Sequence, residues 1–79
     1  MDYSYASIKA EILSGRELHF FYKKKQYSIS YNHEGWYLTE FYNPHDQAFK
    51  SAEELLSEAK IDGKNLEEIW KDIEVDFLF

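Results

Sequence analysis

Cysteine is absent from the 79 residues, proline occurs once and glycine three times. Without cysteine there is no disulfide framework and no thiolate zinc site, which suits a reducing compartment, so a cytoplasmic location is the expectation. The chain is too poor in glycine and proline, and at 44% hydrophobic residues too apolar, to be low-complexity or disordered. Its apolar runs are three or four residues long, too short for a signal peptide or a membrane span. Bases are scarce: nine Lys and Arg against fifteen Asp and Glu give a net charge of −6. Direct duplex DNA binding is not expected of such a chain, because neutralising phosphates needs excess cation.

What the chain has in quantity is aromatic side chains: seven Tyr, six Phe and two Trp. A domain this small buries only about 60% of the surface its unfolded chain exposes, so large side chains must supply the core. One domain over residues 1–79 is expected, with no linker or repeat to divide it.

From Asp2 to Ser14, Tyr5, Ile8 and Ile12 recur at helical spacing, Ala6, Ala10 and Leu13 widen the stripe, and Gly15 follows at the stop. Three segments rich in aromatic and β-branched residues come next: 17–23, 26–31 and 36–42. Lys23–Lys25 and Asn32–Gly35 separate them at hairpin length, which predicts a three-stranded antiparallel meander ended by Asn43–Asp46 around Pro44. Ser51 with Glu54, and Asn65 with Glu68, have capping-box spacing. Each precedes an apolar stripe: Ala52, Leu55, Leu56 and Ala59, then Leu66, Ile69, Trp70 and Ile73. Asp62-Gly63 reads as the stop between two short helices. In the tail, Val75, Phe77 and Phe79 alternate as on one side of a fourth strand. The expected architecture is therefore α+β: an N-terminal helix, a three-stranded meander, two short C-terminal helices and a C-terminal strand.

Charge is segregated along the chain. Residues 1–50 carry six acids and six bases, whereas residues 51–79 carry nine acids and three bases, so the whole excess lies in the last 29 residues. If the two helices bury their stripes, Glu53, Glu54, Glu58, Glu67, Glu68 and Asp72 are left on rims and outer faces. Such runs are commonly a solvated surface that favours the helix dipoles. The sharper reading is an electrostatic face for a basic protein partner.

Alternation predicts that Leu18, Phe20, Tyr22, Tyr27, Ile29, Tyr31, Trp36, Leu38 and Tyr42 face the helices, with Glu40 awkward in that set. The opposite face then holds Phe21, Tyr37 and Phe41 beside His19, Ser28, Ser30 and Thr39. Either the N-terminal helix or the tail covers it, or it is an exposed aromatic patch of the kind that binds partners or stacks single-stranded bases.

No catalytic or metal-binding pattern is present. His19, His33 and His45 lack a second ligand at helical spacing, and no Gly-rich phosphate loop or nucleophile elbow occurs. Asp62–Asn65 lacks the oxygen ladder of a calcium loop. The expectation is a protein that is not an enzyme, with no cofactor and no metal.

The segments Gly15–Tyr22 (GRELHFFY), Gly35–Tyr42 (GWYLTEFY) and Ile61–Trp70 (IDGKNLEEIW) together resemble short uncharacterised proteins of Gram-positive bacteria and their phages. In size, acidity and lack of cysteine the chain also resembles phage-encoded anti-defence inhibitors, including anti-CRISPR proteins, a functional class without a shared fold. This resemblance implies a small inhibitor or accessory factor that docks on a basic, nucleic-acid-handling protein, and it carries no functional residue over. Two other functions fit the same features: a single-strand nucleic-acid binder using Phe21, Tyr37 and Phe41 with Lys23–Lys25, and a scaffold subunit burying Phe77 and Phe79 in a neighbour. No membrane partner is expected, and a homo-oligomer is compatible with all three.

Overall fold

Two consecutive lysines, Lys23 and Lys24, sit in left-handed backbone at φ 50° and 65°. That pair of dihedrals makes the tight reversal whose twist matches flanking strands. It joins β1 (Leu18–Tyr22) to β2 (Lys25–Asn32), and a second turn at His33-Glu34 leads into β3 (Gly35–Glu40). In the second turn Asn32 Oδ1 accepts the Glu34 amide at 2.8 Å, the local side-chain bond that makes asparagine a turn former. The structure is a computed structural model that describes residues 3–43 and 45–79.

The meander has one strand more than the sequence suggests. After the 43–46 segment the chain returns as β4 (Asp46–Phe49), pairing Thr39 with Asp46 and Trp36 with Phe49. Pro44, expected to end the sheet, lies outside the described residues. The C-terminal strand, β7 (Glu74–Leu78), lies on the far side of β1, so the sheet has five antiparallel strands in the order β4-β3-β2-β1-β7. Gly35 serves close approach: a Cβ there would collide with the Phe49 carbonyl oxygen of β4.

All helices lie on one face. In α1 (Tyr5–Leu13), Ser4 accepts the Ser7 amide as N-cap, and Ile8 and Ile12 are buried. Ala6, Ala10 and Leu13 do not widen the buried stripe as expected; they are exposed, since two isoleucines one turn apart suffice to seat so short a helix. In α2 (Ala52–Glu58) the Ser51 side chain accepts the Glu54 amide, but Glu54 reaches the amide of Lys50, not that of Ser51, so the box is only half formed. Ala52, Leu55, Leu56 and Ala59 are buried as their spacing predicts.

Asp62-Gly63 is not a simple helix stop. It is the turn of a two-stranded ribbon, β5 (Lys60–Ile61) and β6 (Lys64–Asn65), with both turn residues at positive φ. The second expected helix is a single turn, α3 (Leu66–Ile69), continuing as a 3₁₀ turn over Trp70–Asp72. Its capping box is complete: Asn65 Oδ1 accepts the Glu68 amide and Glu68 Oε1 accepts the Asn65 amide, both at 2.9 Å.

Leu18, Phe20, Tyr22, Tyr27, Ile29 and Leu38 of the sheet join Ile8, Ile12, Leu55, Leu56, Leu66 and Ile69 in one core, and no polar residue is buried among the described residues. Two residues assigned to the core side reach solvent: Tyr31 is 45% exposed and Tyr42 fully so, because both lie where the strands run out. Glu40 keeps the phase of that face, opposite Tyr27, and opens onto a cleft at the sheet's end. Burial first, and then the carboxylates of Glu40 and Asp62, push the Tyr27 phenol up to about 12.

Candidate functional site

The acidic residues of the C-terminal third do not all gather. Glu53, Glu54 and Glu58 of α2 and Glu67 of α3 border one open groove of about 690 Å³, whose other wall is Tyr5, Lys9 and Leu13 of α1. Helical geometry leaves Glu53, Glu54 and Glu58 on the outer half of α2, because Leu55 and Leu56 are held in the core, and all three border the groove beside α1. Glu68 and Asp72 are separate. The Glu68 carboxylate is committed to the capping box, and Asp72 is carried by the 3₁₀ turn.

Three carboxylates, those of Glu53, Glu58 and Glu67, together with Glu54, which also accepts the Lys50 amide, thus border the groove with Lys9 as the one ammonium in its lining. The hairpin lysines do not neutralise them: Lys23 pairs instead with Asp62 at 3.4 Å. Among the described residues the only other ion pair joins Arg16 to Glu11. The groove's field reaches Tyr5, whose phenol is raised by burial first and by the Glu67 charge second. The lining is mixed, with Leu13 and Leu56 supplying apolar surface. Trp70 fixes the groove's edge, its ring edge-on to Tyr5 at 6.0 Å and its Nε1 donating to the Tyr3 carbonyl at 2.7 Å.

Among the described residues no helix covers the opposite face of the sheet, and the tail covers only its His19 edge, through Phe79. The residues of that face, including Phe21, Tyr37 and Phe41, are half-buried or exposed, and none enters the core. Phe41 meets His19 edge-on at 5.3 Å, His19 meets Phe79 at 4.8 Å, and Phe79 stacks on Phe77 at 5.2 Å. The result is an aromatic arc from β3 to β7. The tail's alternation misleads here, because a register shift between His19 and Phe20 places Val75 opposite Phe20, toward the core, and Phe77 opposite His19, away from it. No lysine or arginine stands among the paired residues of this face, whereas Asp46, opposite Thr39, and Glu74, opposite Phe21, do. Asp76 joins them, accepting from Gln26 Nε2 at 3.0 Å.

The sequence reading missed the contribution of α1 to the groove and of Phe77 and Phe79 to the arc. Leu13 reads in the sequence as widening the Ile8–Ile12 stripe, and its exposure on the groove side is set by the packing of α1 beside α2; the register shift had no sequence signal. His45 lines the smaller cleft with Glu40 and Asp62, while His33 stays exposed in its turn. Among the described residues no three His, Asp or Glu converge as a metal site, and no helix is long and apolar enough to cross a membrane. Comparison with known proteins matches no family model, no curated protein and no solved structure.

Proposed function

We propose that this chain is a non-enzymatic binding protein, an inhibitor or accessory factor of the phage anti-defence kind, that docks its acidic groove on a basic, nucleic-acid-handling protein. One observation carries this reading: Glu53, Glu54, Glu58 and Glu67 border a single open groove with apolar lining and one compensating lysine. Carboxylates so placed steer a cationic surface toward the groove and fix its orientation, while Tyr5 and Leu13 supply contact area. Proteins that hold phosphate backbones present such cationic surfaces.

The aromatic arc on the sheet favours stacking of single-stranded bases, but Asp46, Glu74 and Asp76 on the same face repel phosphates. The protein-docking reading therefore fits better.

Calorimetric titration with an arginine-rich helical peptide over a range of salt concentrations tests it. Binding is expected to weaken steeply with salt. In the Glu53→Lys/Glu58→Lys/Glu67→Lys variant both affinity and salt slope are expected to fall while circular dichroism is unchanged. Equal binding by that variant would overturn the assignment.

A further inference from the structure

β7 has β1 on one side and nothing on the other among the described residues, so it presents an open sheet edge. The Phe79 amide donates to the Glu17 carbonyl at 2.8 Å. Alternation along an extended strand then turns the N–H and C=O of Leu78 the opposite way, toward the open side. Unpaired edges are templates for an added strand.

This edge comes with prepared side chains. Phe77 and Phe79 are 59% and 54% exposed yet stacked on each other, at an interplanar angle of 18°. Phe79 is further held by His19 and by Arg16, whose Nε donates to the Phe79 carbonyl at 2.9 Å. Rings already fixed lose little freedom when a partner covers them. Glu74 and Asp76, both exposed, stand on the same strand without an ion pair among the described residues.

We propose that the open edge of β7 accepts, as a sixth strand, an extended segment of a partner protein in which lysine or arginine alternates with apolar residues. Backbone bonds form at Leu78, the cations share the outer face with Glu74, Asp76 and the rings of Phe77 and Phe79, and the apolar side chains fall on the other face, beside Val75 and Leu78. A second copy of the chain fits poorly. Antiparallel β7 against β7 brings Glu74 and Asp76 near their own copies with no cation on either strand, and like charges facing across a ladder destabilise it. The sheet's other edge is not equivalent: β4 is four residues long, packs against α2 and is tied by Gln47 to the Lys60 backbone.

The edge is distinct from the groove, so the two readings fail separately. The probe is a short end-blocked peptide alternating lysine and valine. Saturable binding is expected, with slowed hydrogen exchange at the Leu78 amide and affinity about tenfold lower in Phe77→Ser/Phe79→Ser. Glu74→Lys/Asp76→Lys should exchange the preference for a glutamate–valine peptide, and Glu53→Lys/Glu67→Lys should change nothing. The charge-swapped pair, altering only exposed positions, decides the matter if the serine variant does not fold. Binding without protection of Leu78, binding lost in the groove variant, or equal binding of both peptides would overturn the proposal. So would a native dimer in sedimentation that the β7 variants dissolve.

Discussion

The side chain of Gln47 clasps the backbone of Lys60: its Oε1 accepts the Lys60 amide at 2.9 Å and its Nε2 donates to the Lys60 carbonyl at 2.6 Å. One amide thereby mimics a strand and joins β4 to the start of the β5–β6 ribbon. Gln47→Ala removes both bonds and is expected to lower stability by about 1–2 kcal/mol in urea unfolding. The Lys60 amide should exchange faster in the same variant.

Gly35 and Gly63 are expected to behave differently on substitution. A Cβ at Gly35 meets the Phe49 carbonyl, a backbone atom held in the sheet, so Gly35→Ala should cost about 3 kcal/mol and weaken β3–β4 pairing. Around Gly63 there is open space and only its φ of +76° opposes a side chain, so Gly63→Ala should cost roughly 1–2 kcal/mol. Thermal unfolding of the two variants ranks them.

Tyr27 makes stability fall at alkaline pH. Its phenol ionises near 12 in the fold against 10.0 ordinarily, so between those values the folded chain holds a proton that the unfolded chain has released. The stabilisation is complete below pH 10 and is lost as pH rises toward 12. Unfolding free energy measured across that window should decline, and less so in Tyr27→Phe.

The capping box around α3 stands in for helix length. A helix of four residues gains little from its own backbone, so the paired Asn65 and Glu68 bonds carry much of its definition. Asn65→Ala should cost about 1 kcal/mol. Glu68→Gln, which keeps the accepting oxygen, should cost much less; chemical denaturation of the pair compares them.

Where a segment's own residues decide its structure, the sequence was readable. Ser51 and Asn65 marked their helix starts, and the alternation of Tyr27 and Ile29 with Ser28 and Ser30 set the faces of β2. β4 was not readable: Asp46, Gln47 and Ala48 have little strand preference, and only the waiting edge of β3 makes them a strand. The bulge opposite His19 and Phe20 likewise belongs to the pairing and not to the tail's own residues, so Val75 and Phe77 part company unannounced. Of the six acids singled out, spacing identified candidates, but only the packing of α1 beside α2 selected Glu53, Glu54, Glu58 and Glu67.

Setting β7 beside β1 makes the sheet's completion a late event in the life of each molecule. Residues 74–78 must return across the length of the chain to reach Leu18–Phe21, whereas β1 to β4 pair with their immediate successors. A nascent chain on the ribosome therefore assembles the meander first and carries an unsatisfied β1 until residues 74–78 emerge. Truncation before Glu74 would leave that intermediate as the end product, with a sticky strand where the finished molecule has a closed pair.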